Sequence, residues 1–161
     1  MNKTLSIIFF LLVAINCVAQ DDLTVNASYD SRSHSIVVDI NNTSSETLYV
    51  IYSHNGVEDF FVSYIGVSEH KKDTYTEFKD KFPLTKYNKD KGELIREYPI
   101  TIPFSPHQSE SFAVGLEGRK QFDGLKRLFV KVDIIIRVIV KNGERKLGSF
   151  KKSFEQYIDI E

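Results

Sequence analysis

The chain has 161 residues, with 21 Lys and Arg, 22 Asp and Glu, 4 His, 1 Cys, no Trp and a formal net charge of -1. A hydrophobic content of 42% excludes disorder as a description of the whole chain. The near-zero charge excludes a strongly basic nucleic-acid binder, and the single Cys excludes an intramolecular disulfide framework or a Cys-rich zinc site.

Lys3 supplies a positive charge, and residues 5–15 (LSIIFFLLVAI) form an apolar run with only Ser6 polar. Cys17-Val18-Ala19 follows, then Gln20, Asp21 and Asp22. Charged start, short apolar run and small residues at the cut are the parts of a secretory signal peptide. The run falls short of the roughly 20 apolar residues that span a bilayer. Cleavage after Ala19 is the reading adopted, giving a signal peptide over 1–19 and one domain over 20–161. The alternative is a lipoprotein anchored at Cys17, although Asn16 stands where a lipobox carries a small residue. The expected location is therefore periplasmic or extracellular, with membrane contact only if Cys17 is lipidated. Cleavage also removes the one thiol, so stability must come from a packed core.

Beyond the leader, period-two alternation dominates. Leu23 and Val25 alternate with Thr24 and Asn26, and Ile36, Val38 and Ile40 share one face. Residues 41–45 (NNTSS) form a turn by composition. Thr47 to Tyr52 is strand-like, the chain turns at His54-Asn55-Gly56, and Phe60 to Val67 forms another strand with Gly66 as an expected bulge.

Within the charged segment 69–97, Tyr75, Phe78 and Phe82 fall at helical spacing between Asp73 and Pro83. That spacing predicts a short helix over 74–82. Pro99, Pro103 and Pro106 limit residues 100–104 to an edge strand, because Pro cannot donate to a ladder. Phe112, Val114 and Leu116 then alternate inward.

The strongest strand signal runs from Leu128 to Lys141. Leu128, Val130, Val132, Ile134, Ile136, Val138 and Val140 lie on one apolar face, and Phe129, Ile135 and Ile139 on a mixed one. Asn142-Gly143 predicts a tight hairpin that sets Glu144 opposite Lys141. The return strand alternates less cleanly, which predicts a bulge near Gly148. So long a strand is expected to bend or to serve two sheets.

Seven or more strands at this spacing describe an all-β antiparallel sandwich with an insertion around 69–97. Residues 36–42 (IVVDINN) leading to Leu48, and residues 106–112 (PHQSESF), resemble secreted bacterial immunoglobulin-like β-sandwich modules. In the second motif His107 replaces the usual Gly. The chain departs from antibody-type domains, since it has no Cys pair and no core Trp. The resemblance implies a fold and a surface or periplasmic setting, and no functional residues.

No catalytic constellation is visible. There is no Gly-x-Ser-x-Gly elbow, and His34, His54, His70 and His107 are far apart in turn-like segments. No two His have metal-ligand spacing, and no phosphate loop is present. Residues 88–93 (NKDKGE) place oxygens at alternate positions, but Lys89 and Lys91 oppose a cation, so this is read as a polar turn. No cofactor is called for.

What remains is a non-enzymatic binding or interaction module with a protein or glycan partner, meeting it through the 69–97 insertion or a sheet edge. Aromatic and basic residues interleave across 71–98, which makes Tyr75, Tyr87 and Tyr98 the candidate contact residues. The competing expectation is an insertion that simply packs, with Phe78 and Phe82 inward. A second functional reading is a protease inhibitor that inserts the Pro-rigid segment 99–106 into a cleft.

Overall fold

The alternating segments pair as strands throughout the computed structural model, which describes residues 22–51, 63–72, 78–95, 101–141 and 144–160. The strands are β1 (Leu23–Asp30), β2 (Ser35–Asn42), β3 (Thr47–Ile51), β4 (Tyr64–Ser68), β5 (Asp80–Pro83) and β6 (Tyr87–Asn88). They continue with β7 (Glu93–Leu94), β8 (Thr101–Phe104), β9 (Ser109–Gly115), β10 (Arg127–Lys141) and β11 (Glu144–Asp159). The leader and Cys17 lie outside the described residues, as do the His54 turn and Asn142-Gly143.

One sheet has the order β1-β2-β9. The other is built on β10. Along one edge β10 pairs with β11, and along the opposite edge it pairs first with β4 and then with β3. Strands β5 and β8 lie outside β4 and β3. The order β1-β2-β9 facing β11-β10-β3-β8 is the A-B-E and G-F-C-C′ arrangement of an immunoglobulin-like sandwich. Strands β4 and β5 are an addition to that plan, lying between β3 and β8 in the chain.

The inner faces form one core. Leu128, Val130, Val132, Ile134 and Ile136 of β10 meet Ile36, Val38 and Ile40 of β2 and Phe112 and Val114 of β9, all of them buried. The side chains of Val138 and Val140 fall outside what is described. Phe104 and Phe112 stack within this core, their ring centroids 6.4 Å apart.

The length of β10, 15 residues, has a different cause from the one expected. The strand stays in a single sheet and serves two end-to-end neighbours, β4 over Phe129–Asp133 and β3 over Ile135–Val140. Between the two partners the Ile135 N–H would be orphaned. Fully buried Ser63 solves this, its Oγ accepting from that N–H at 2.9 Å. The same residue donates its own N–H to the Ile51 carbonyl and accepts the Leu84 N–H, so it joins three segments. The expected bulge is present: the register shifts between Ile136 and Val138, opposite Gly148.

Two expectations at β4 and β5 are corrected. The helix over 74–82 does not form where it is described, because Asp80–Pro83 is β5, antiparallel to β4. Phe82 stands opposite Ile65 and packs against the core, whereas Phe78 lies on the other face, stacked on Phe129 at 6.2 Å. A helix would turn both rings the same way, but here the sheet needs them on opposite faces. The second correction concerns Gly66, which is no bulge, since β4 keeps a regular register with β10 across it. A Cβ at Gly66 would sit 2.8 Å from the Phe78 ring, so the residue is small because Phe78 lies on it.

Residues 100–104 behave as expected. Strand β8 is an edge strand, with Pro103 opposite Tyr49 of β3.

Candidate functional site

The two sheets face each other, so the sandwich has two flanks where one sheet's edge approaches the other's. They are closed by different chemistry.

At the flank between β5 and β9, the backbone itself crosses over. Leu84 is fully buried, and its N–H donates to the Ser63 carbonyl at 3.1 Å. The next carbonyl, of Thr85, accepts from Ala113 at 2.9 Å, and Lys86 forms a bridge to Phe112 of β9. The β6–β7 hairpin then lies on the outer face of the first sheet, where Tyr87 packs on Val37 and Ala113. Its tip is a polar turn in which Asn88 Oδ1 accepts from the N–H groups of Asp90 and Lys91. Lys89 reaches Asp39 at 2.6 Å.

This placement settles where one sequence candidate goes. Tyr87 is only 6% exposed. Its hydroxyl donates to Asp30 Oδ2 at 2.9 Å and pairs with Ser33 Oγ at 2.8 Å. Arg32 grips the same carboxylate through Nε and its backbone N–H. Arg32 first, and Tyr87 second, hold the Asp30 carboxyl well below the usual carboxylate range, and Asp30 in turn raises the Arg32 guanidinium. The cluster ties the hairpin to the β1–β2 turn. Tyr75 and Tyr98 lie outside the described residues.

At the opposite flank, β1 and β11 run alongside each other with no ladder between them. Asp22 pairs with Lys152 at 3.5 Å and Ala27 meets Gln156, so the two strands run in the same direction. The β1–β2 register turns the N–H and C=O groups of Val25, Ala27 and Tyr29 away from β2, toward this flank. The Gln156 carboxamide fills the gap at one of these three residues. Its Oε1 accepts from the Ala27 N–H at 2.9 Å, and its Nε2 donates to the Ala27 carbonyl at 3.1 Å. One side-chain amide thus stands where one peptide group of a neighbouring strand would stand. Beside it is a cavity of about 100 Å³ lined by Val25, Ala27, Val130, Val132, Phe154, Glu155 and Gln156.

Sequence reasoning missed Gln156. Its signal was present: in β11 the positions in register with the inner face of β10 are Phe150, Lys152, Phe154, Gln156 and Ile158. Lys152 and Gln156 are polar residues in an apolar phase, which is how sheet edges are marked.

The outer face of the second sheet carries a charged ladder. Glu155 is held by Lys71 at 2.7 Å and Lys131 at 3.4 Å, which lowers its carboxyl below the usual range, Lys71 first. Buried Asp133 pairs with Lys151 at 2.7 Å and accepts from Ser153. At one end of this face Tyr157, 43% exposed, packs edge-on against Phe129 at 5.0 Å beneath the Arg127 guanidinium. The mixed face at Phe129 is covered by Phe78 and Tyr157.

The other sequence candidates stay apart. His34 lies at the β1–β2 turn, His70 is exposed next to Glu69, and His107 is in the β8–β9 turn. Among the described residues no cluster of three or more His, Cys, Asp or Glu is placed to hold a metal. The segment proposed for insertion into a protease is itself sheet: Ile102 and Phe104 are 4% and 0% exposed in β8.

No protein-family model matches the sequence, and no curated protein matches it. Among solved structures, the chain is similar to AggA, the major subunit of aggregative adherence fimbriae type I from Escherichia coli. The two superpose over 85% of this chain and 90% of that one, at 11% identity and a TM-score of 0.36. A score of that size reports a loose superposition of two β-rich chains.

Proposed function

We propose that this chain is an exported, non-enzymatic interaction module that binds a protein partner at the β1–β11 flank. The observation that carries the reading is the Gln156 carboxamide seated on the backbone of an otherwise unpaired strand edge. Edges left open in this way are where sheets meet other chains. The signal-like leader supports export. The insertion serves the fold, since its described part closes the other flank with Leu84 and Tyr87. A protease-inhibitor role receives no support from a segment whose alternate side chains are in the core.

The test is site-specific photo-crosslinking on intact source cells. A crosslinker at exposed Ser28 of β1 is expected to capture one envelope or extracellular protein. A crosslinker at exposed Lys91, in the β6–β7 turn, is expected not to capture it. A partner captured from Lys91 and not from Ser28 contradicts the reading.

A further inference from the structure

We propose that the β1–β11 flank accepts an extended polypeptide strand of the partner, and that this strand displaces the Gln156 carboxamide from Ala27. The proposal rests on the functional reading above and specifies the partner's chemistry.

Three observations favour this occupant. First, Gln156 offers Ala27 one acceptor and one donor, which is what the peptide group of a paired strand offers. Val25 and Tyr29 point their N–H and C=O groups the same way, two residues to either side. A β-strand presents its backbone groups at that period and a compact ligand does not. Second, the cavity of about 100 Å³ beside Gln156 has apolar walls at Val25, Ala27, Val130, Val132 and Phe154, five of its seven lining residues. An aliphatic side chain fits these apolar walls, with Glu155 and Gln156 completing the lining. Third, the β1 and β11 strands of a second copy have no free apolar face to give. The apolar side chains of β1 and β11, such as Leu23, Ala27 and Ile158, are already buried in its own core.

The Gln156 side chain closes the edge until a strand arrives. Lys152 beside it, ion-paired to Asp22, guards the end of the same edge.

The probe is a nine-residue peptide alternating Val with Thr and carrying Lys at both ends. It is titrated into the isotope-labelled secreted chain and followed by amide resonances. The expected result is movement of the Val25, Ala27 and Tyr29 amides together with the Gln156 side-chain NH₂ pair. Gln156→Ala, which removes two competing hydrogen bonds, is expected to tighten binding about tenfold. Ala27→Val, which narrows the cavity, is expected to weaken binding by about tenfold or more. Circular dichroism checks that each variant keeps its β-sheet spectrum. A backbone N-methylated peptide is expected not to bind.

Equal binding of the N-methylated peptide, shifts confined to β5 or β8, or unchanged affinity in Gln156→Ala would overturn the proposal. Self-association of Gln156→Ala that excludes the peptide would overturn it in favour of a second copy. Binding as described with no partner crosslinked on cells contradicts the functional reading and leaves this surface standing. A partner crosslinked elsewhere, with a silent titration, overturns the surface.

Discussion

The two flanks of the sandwich solve one problem in opposite ways. Between β5 and β9, residues 84–86 carry the main chain across the gap: the Leu84 N–H bonds to Ser63, the Thr85 carbonyl to Ala113, and Lys86 bridges to Phe112. Between β1 and β11 no chain crosses among the described residues, and the side chains of Gln156 and Lys152 close the gap. Backbone closure buries apolar surface and joins the cooperative core. Side-chain closure is local, and water can replace it at little cost. The difference separates a flank closed by main chain from a flank closed by side chains, and the second is the one we propose for the partner.

The largest effect is expected where the backbone crosses. Leu84→Ala removes a fully buried side chain and is expected to lower unfolding free energy by about 2–5 kcal/mol, read by urea denaturation. Next comes Ser63→Ala, which leaves the half-buried Ile135 N–H without this acceptor and is expected to cost about 1 kcal/mol in the same measurement. A neutral Ser63→Ala would show that β10 passes from β4 to β3 without needing that bond.

The Asp30 cluster sharpens the comparison through pH. The carboxyl is held below its ordinary range in the folded chain, so its contribution is present above about pH 4 and is lost as pH falls below that. The stability difference between the native chain and Asp30→Asn is therefore expected to shrink as pH drops from 6 toward 2. A constant difference would mean that the Arg32 and Tyr87 bonds do not favour the charged form.

A smaller change of opposite sign is expected in the β8–β9 turn. His107 has φ of 61°, the left-handed region, with the Gln108 N–H bonded to the Ser105 carbonyl. His107→Gly relieves the side-chain clash but frees the unfolded chain, leaving a net gain of up to about 1 kcal/mol in thermal unfolding.

Much of this fold was legible in the sequence. Strict alternation at Ile36, Val38 and Ile40, and from Leu128 to Ile136, marked β2 and β10 because each has one face in the core. Pro103 marked β8 as an edge, since a strand with neighbours on both sides needs that missing N–H. Phe78 and Phe82 misled because i and i+4 suit a helix, while an irregular residue after Phe78 lets two rings straddle a sheet. Ser63 was illegible: its role depends on Ile135, 72 positions away. The candidate site lay between these extremes. Gln156 and Lys152 broke the apolar phase of β11 openly, but only the neighbouring Ala27 backbone gives that break a meaning.

Amide hydrogen exchange, residue by residue, is the most direct test of the difference between the flanks. The account predicts slow exchange at Ala113 and Ile135, fast exchange at Val25 and Tyr29, and intermediate exchange at Ala27 that becomes fast in Gln156→Ala. Val25 and Tyr29 amides as protected as Ala113, with Ala27 unchanged by the substitution, would contradict it.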